Sequence, residues 1–236
     1  MPVIVFDLDD TLYDEMTFVH SGFRAVAAFL EERKGIPSDQ SYADMLERLE
    51  RDGRGKVFDA VLRKHRCFSK YMARQCVSVY RAHQPDIKLL PDAERALESL
   101  GGLYPLYIVT DGNKHVQWNK LKALGLAGHP HIRRCFVTRR FGIRHEKPSP
   151  YCFGLICRAE RTEPRDVIYI GDNPNKDFVG IKPLGYRTVR VQRGSYAGLR
   201  KSAEYEAEYE IDDLTQLADL ICRIYGQKPG RSLRDG

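Results

Sequence analysis

Asp7 and Asp9 stand just beyond the apolar run Pro2 to Phe6, and Thr110 and Asp111 just beyond Leu106 to Val109. Asp172 and Asp177 follow Val167 to Ile170, and Lys147 sits in a loop ahead of a helical segment. A carboxylate at a strand end often does no more than cap a helix or face solvent. Four polar groupings at the ends of apolar runs ask for a common explanation. Asp7, Asp9 and Asp172 make an oxygen-rich set with no histidine or thiol placed beside it, which suits magnesium better than zinc. Carboxylates forced together raise one another's pKa, and a divalent cation relieves that repulsion. Lys147 adds a point positive charge, Thr110 a hydroxyl donor, and the loop amides further donors. Such groups can hold a phosphoryl group and neutralise charge as it transfers. With the cation held, one carboxylate can attack phosphorus in line while another gives a proton to the leaving alcohol.

These residues need a scaffold that gathers strand ends. Pro2 to Phe6 is short, apolar and rich in β-branched residues, so it reads as a buried strand stopped by Asp7. From Glu15 to Arg33 the spacing turns helical, with Phe18, Val19, Phe23, Val26, Ala27 and Leu30 on one broad face, until Gly35 and Pro37. Ser41 to Glu50, Lys56 to His65 and Ser69 to His83 also read as helices, the last burying Tyr71, Met72, Cys76, Val79 and Tyr80. After Pro91 strands and helices alternate. The strands are expected at Leu106 to Val109, Cys135 to Thr138, Val167 to Ile170, Thr188 to Val191 and Tyr209 to Ile211. Helices are expected at Asp92 to Leu100, Asn113 to Leu124, Pro150 to Ala159, Asn175 to Leu184 and Leu214 to Ile224. That alternation predicts an α/β protein whose mostly parallel sheet is covered on both faces, with binding groups beyond the carboxyl ends of the strands. The expected division is a discontinuous α/β core of residues 1–14 and 88–230, a helical insertion of 15–87, and a flexible tail of 227–236.

Composition sets the outer bounds. The chain has 236 residues, 42% of them hydrophobic and 30% charged, as ordinary globular proteins do and disordered or collagen-like ones do not. No apolar run approaches a membrane span. The start, MPVIVFDLDD, lacks the basic stretch, long apolar segment and cleavage site of a secretion signal, so the expected location is cytoplasmic. Six cysteines without a CxxC pair read as free thiols, against a structural zinc or a disulfide framework. Lys and Arg exceed Asp and Glu by 38 to 32, a net charge of +6 that favours anionic partners. The basic residues are dispersed, apart from a modest cluster at Arg133, Arg134, Arg139, Arg140 and Arg144 and another in the tail. No nucleic-acid-binding signature accompanies them.

The segments FDLDDTLYDE at 6–15, IVTDGN at 108–113, HEKPSP at 145–150 and YIGDNPNKDFVGIKPLGYRTVRV at 169–191 resemble, in order, the four motifs of the haloacid dehalogenase-like (HAD) hydrolases. The resemblance covers roughly residues 1–14 and 88–225, and implies a Rossmann-like three-layer core. The helical insertion is similar to the small α-helical cap of that family in position and size. By this resemblance Asp7 is the nucleophile that becomes a phosphoaspartate. Asp9 is the acid that protonates the leaving group and then the base that activates water. Thr110 and Lys147 hold and orient the phosphoryl group. The resemblance also implies Mg2+ held by Asp7, the backbone carbonyl of Asp9 and Asp172, with Asp177 supporting them from behind. Asp111 contacts phosphate through its backbone amide, its carboxylate facing away, while Asp10 and Thr11 shape the loop.

The resemblance also discriminates among activities. The dehalogenase and phosphonate-cleaving branches lack a carboxylate at the position matching Asp9, so its presence favours phosphate ester hydrolysis. The expected protein is a Mg2+-dependent phosphatase of a small soluble phosphometabolite, such as a sugar phosphate, a phospho-acid or a nucleotide. Other readings of the same motifs are a sugar-phosphate mutase, a nucleic-acid end phosphatase, or a non-catalytic phospholigand-binding or regulatory protein. Substrate choice is expected from a closing cap. Glu15, Phe18, His20 and Arg24 are the candidates near the first loop, and Asn113 and Lys114 those on the core. For Phe18 the competing role is core packing, and for His20 and Arg24 plain exposure. The apolar faces of the insertion can pack on the core or on a second subunit, which leaves the oligomeric state open.

Overall fold

The computed structural model describes residues 1–226. Six strands, β1 (Val3–Phe6), β2 (Leu106–Thr110), β3 (Ile132–Val137), β4 (Val167–Gly171), β5 (Arg187–Val191) and β6 (Tyr209–Ile211), form one sheet in the order β3-β2-β1-β4-β5-β6. Every neighbouring pair is parallel. Parallel neighbours require crossover connections, and here α5 (Pro91–Gly101), α6 (Lys114–Ala123), α7 (Tyr151–Glu160) and α8 (Leu217–Tyr225) accompany the strands. Val3 and Val5, Tyr107 and Val109, and Val167 and Tyr169 meet Cys152, Phe153 and Ile156 of α7 on one face. Their neighbours Ile4, Phe6, Ile108, Ile168 and Ile170 are equally buried, and the two-residue period of a strand turns them to the other face. There α5 buries Ala93, Ala96, Leu97 and Leu100 and touches both β2 and α8. The expected α/β class with a parallel, doubly covered sheet is the one observed.

The chain order reverses between β1 and β4. A crevice opens beyond the strand ends at such a reversal, and Asp7 and Asp172 directly follow these two strands. The sheet ends on one side at β3, where Arg133 and Arg134 are exposed, and on the other at the three-residue β6, where Glu210 is exposed.

Residues 16–87 together with Trp118–Ala123 make a second compact unit, and residues 1–15, 88–117 and 124–226 make the first. Compared with the division expected from sequence, Glu15 falls with the sheet and the last part of α6 with the helices. Lys120 on α6 lies 4.4 Å from the ring centroid of Phe18, which ties that turn to the helical unit. The unit contains α1 (Glu15–Lys34, less its first residue), α2 (Ser38–Asp52), α3 (Val57–Lys64) and α4 (Lys70–Ala82). The α1 face expected to be apolar is buried in full, and Gly22 joins it because the Tyr80 ring fills the space a side chain would need. Ser69 caps α4 by accepting from the Met72 amide at 3.0 Å. Asp44 of α2 braces α3 by accepting from Lys64 at 2.7 Å and pairing with His65 at 2.6 Å.

Two local expectations are corrected. Tyr71 is 64% exposed, because the buried stripe of α4 runs through Met72, Cys76, Val79 and Tyr80 and leaves it a third of a turn away. Residues 175–184 do not form a helix; they make turns and one short 3-10 segment at Lys182–Leu184. The reason is tertiary. Asp177 turns back to accept from the Asn173 amide at 2.9 Å, Phe178 enters the core, and Gly180 lies against the carbonyl of Pro148 with no room for a side chain. Gly180→Ala is therefore expected to cost about 1–3 kcal/mol. A urea midpoint unchanged from that of the parent would contradict the close approach. The tail 227–236, expected to be flexible, lies outside the described residues. All six cysteines are free thiols, as expected, and among the described residues no helix is long and apolar enough to cross a membrane.

Candidate active site

The first-strand loop carries the central group. Asp7 is 3% exposed, its amide donates to the Ile170 carbonyl at 2.8 Å, and its Oδ1 accepts from Lys147 Nζ at 2.7 Å. Lys147 is equally buried and also reaches Asp177 Oδ1 at 2.8 Å and the Tyr169 hydroxyl at 2.7 Å. Burial works against its charge, but Asp177 and Asp7 outweigh burial and hold its pKa well above the usual lysine value. Motif residues 140 positions apart in the chain thus form one buried ion-pair cluster.

Asp7, Asp172 and Asp177 each place a carboxylate oxygen within 4.8 Å of the others. They are not equivalent. Asp177 is occupied on both oxygens, Oδ1 by Lys147 and by the Tyr169 hydroxyl at 3.2 Å, and Oδ2 by the Asn173 amide. Among the described residues, no hydrogen bond or ion pair engages the Asp172 carboxylate, although the residue is only 3% exposed. A buried, unengaged carboxylate beside two others is costly without a cation, and its oxygen-only surroundings are those a hard divalent ion takes. The residues present fit a hard divalent cation such as magnesium, which Asp7 and the unengaged Asp172 would hold, while Asp177 is tied to Lys147.

The electrostatics of the cluster predict a pH response. Burial pushes the Asp7 carboxyl up to about 7, opposed by Lys147 and assisted by Asp177. Burial, then Asp177 and Asp7, push Asp172 up to about 9. In chelator, the folded protein therefore retains protons that the unfolded chain releases around the ordinary value of 3.8. The stability from these two groups is present in full below that value and is lost as pH rises through about 7 and then about 9. Thermal melts in EDTA are expected to fall along this limb and melts in excess Mg2+ to stay flat. Parallel curves would show that no cation relieves the carboxylates.

Asp9 lies beside this cluster and is held differently. The Tyr13 hydroxyl donates to its Oδ1 at 2.5 Å, and Gln117 Nε2 donates to its Oδ2 at 2.7 Å. The same Gln117 nitrogen donates to Thr110 Oγ1 at 2.7 Å, at the carboxyl end of β2. Asp111 points its carboxylate at neighbouring loops. Its Oδ1 accepts from Thr138 at 2.7 Å and the Lys147 amide at 3.1 Å, and its Oδ2 from Lys176 at 3.3 Å. Burial is outweighed there by Lys147 and Lys176, so the carboxyl sits below the usual range and stays charged. Asp10 holds the 193–195 loop, accepting from the Ser195 amide at 3.1 Å, and also accepts from the Glu15 amide at 2.9 Å.

Asp7, Lys147, Asp172 and Asp177 are thus brought together, with Asp9 and Thr110 joined through Gln117. The remaining candidates have other engagements. Asn113 caps α6 by accepting from the His115 and Val116 amides at 3.0 and 3.3 Å, and Lys114 is exposed at the start of that helix. Phe18 is 4% exposed in the helical core, its centroid 5.5 Å from that of Tyr80. His20 pairs with the Tyr42 hydroxyl at 2.8 Å, and the exposed Arg24 lies 5.4 Å from the Tyr42 ring centroid. Four polar groups at the site went unnoticed in the sequence: Tyr13, Gln117, Tyr169 and Lys176. Gln117 alone had a signal, since it falls on the first turn of the helix that opens right after Thr110 and Asp111.

A parallel sheet whose order reverses at a buried aspartate cluster, with a lysine from a distant loop on the first aspartate, defines a hydrolase class. The chain belongs to the haloacid dehalogenase-like hydrolase family, whose sequence pattern matches residues 1–185. It is 28% identical over 229 residues to a glyceraldehyde 3-phosphate phosphatase of Methanopyrus kandleri, covering 92% of this chain and 96% of the relative. A glyceraldehyde 3-phosphate phosphatase of Methanocaldococcus jannaschii is 29% identical over 227 residues, with 92% and 96% covered. The crystal structure of a HAD phosphatase from Thermococcus onnurineus superposes with a TM-score of 0.60 at 26% identity, covering 98% of this chain and all of that one.

Proposed function

We propose that the protein is a Mg2+-dependent phosphomonoesterase that hydrolyses a small phosphorylated metabolite through a phosphoaspartate on Asp7. The observation that carries this reading is the buried Asp7 carboxylate, 2.7 Å from Lys147, with a second aspartate, Asp9, two residues further on. Asp7, Asp172 and the Asp9 carbonyl would hold magnesium, which when bound would supply positive charge to balance that on the phosphoryl oxygens. Lys147 and the Thr110 hydroxyl hold that group against Asp7. An Asp7 oxygen bonds to phosphorus as the bond from phosphorus to the ester oxygen breaks, and Asp9 gives that oxygen its proton. Asp9 then takes a proton from water, whose oxygen bonds to phosphorus while the bond from phosphorus to Asp7 breaks. Inorganic phosphate leaves and both aspartates regain their starting state.

The names of the two archaeal relatives support a three-carbon sugar phosphate as substrate, and their match along nearly the whole chain supports a similar overall plan. Residues 16–87 are then the cap that reads the organic half, with Phe18 serving its core and His20 and Arg24 as the polar candidates. The test is phosphate release from a panel of sugar phosphates, phospho-acids, nucleotides and oligonucleotide ends, with Mg2+ and with EDTA. Turnover with Mg2+ confined to small sugar phosphates supports the reading. Release fastest from oligonucleotide ends, or from no member, contradicts it.

A further inference from the structure

We propose that Gln117 is a positioning residue that sets the Asp9 carboxylate and the Thr110 hydroxyl in their working directions with one amide nitrogen. The inference rests on reading Asp9 as the proton donor to the leaving group, and deepens it. Gln117 is 2% exposed, and its Nε2 lies 2.7 Å from both Asp9 Oδ2 and Thr110 Oγ1. The two ends of an amide have nearly the same shape, so the partners decide which end faces them. Asp9 is ionised once its proton has gone to the leaving group, and a carboxylate only accepts, which puts the NH2 end of Gln117 toward it, with its two hydrogens serving the two oxygens separately.

The consequence for Thr110 follows directly. Its oxygen accepts from Gln117, so its own hydrogen points elsewhere and is available to a phosphoryl oxygen. For Asp9 the other oxygen is taken by Tyr13 at 2.5 Å, so both ends of the carboxylate are held and its plane cannot turn. Local structure is shaped to this arrangement. Gly112, at φ 122°, leaves space in which a side-chain carbon would lie 3.4 Å from the Gln117 side chain. Asn113 starts α6 in the register that aims Gln117 back at the strand end, through its cap and through its carbonyl, which accepts from the Gln117 amide at 2.9 Å.

A polar crosslink that only stabilises the fold would affect every substrate alike, whereas a group that aims a proton donor matters most when the leaving oxygen needs the proton. Gln117→Met, which keeps the length and lacks the donors, and Gln117→Ala are compared with Asp9→Asn on p-nitrophenyl phosphate and on the best alkyl phosphate of the panel. The leaving phenolate of the first needs little protonation. Both Gln117 variants are expected to slow both esters by the share that Thr110 orientation supplies, and to lose at least about tenfold more in kcat on the alkyl than on the aryl ester, within the range that general acid catalysis provides. Equal losses on both esters, or none, overturn the proposal while the role of Asp9 stands. An Asp9→Asn variant that fails to discriminate between the esters overturns that role, and the proposal with it. A melt of each variant checks folding, and the Met variant serves if the Ala variant unfolds.

Discussion

Asp7→Asn is expected to lower phosphate release by at least about 10^4-fold, the order lost when a covalent nucleophile is removed. An amide of the same shape cannot form the acyl phosphate, but it can still accept from Lys147. Lys147 keeps Asp177 at 2.8 Å as its charge partner, so the cluster retains its main tie. One negative charge also leaves the neighbourhood of Asp172, which Asp7 raises by proximity. The variant should accordingly melt no lower than its parent in chelator, while trapping no phosphoenzyme. Steady-state release and acid-quenched labelling with 32P substrate measure the two halves. Residual turnover within a hundredfold of the parent would remove Asp7 from the nucleophile's role.

The largest expected loss of stability comes from Lys147→Met. The parent side chain is 1% exposed and neutralises two carboxylates, Asp7 at 2.7 Å and Asp177 at 2.8 Å. Removing one member of a buried ion cluster leaves the others without a counter-charge, which typically costs about 3–5 kcal/mol. Turnover should fall to the background, because Lys147 is the side chain proposed to hold the phosphoryl group against Asp7. A second change, Asp177→Asn, removes one stranded charge and is expected to restore about half of the stability but none of the activity. Denaturant midpoints of the single and double variants decide the matter. A Lys147→Met protein within 1 kcal/mol of its parent would mean that the cluster contributes little to the fold.

Much of this organisation was legible because periodicity and punctuation agreed. Strands such as Val3–Phe6 and Val167–Gly171 are short apolar runs ending in a carboxylate or glycine, and buried parallel strands require little more. The α1 stripe was equally plain. Residues 175–184 misled because their spacing permits a helix, while the fold needs Asp177 turned toward Lys147 and Gly180 against Pro148, contacts with segments far away in sequence. The groups that hold the Asp111 carboxylate, Thr138 and Lys147, likewise come from separate loops and left no mark in the sequence. Asp7 and Lys147 stood out by type and place. Gln117 did not, because a glutamine on a short helix has no chemical mark until Asp9 and Thr110 are seen beside it.

The two margins of the sheet bear on how copies of this protein meet. A strand margin offers unpaired amides and carbonyls to any passing chain, and cross-sheet joining of that kind is a route to aggregates. The exposed Arg133, paired with Glu160 at 2.6 Å, and Arg134 put two bulky charged side chains on one margin, while the opposite margin is only three residues long. Head-to-head joining of sheets is thereby disfavoured on both sides. Replacing both arginines with threonine, a good strand former, is expected to make that margin easier for a second chain to pair with.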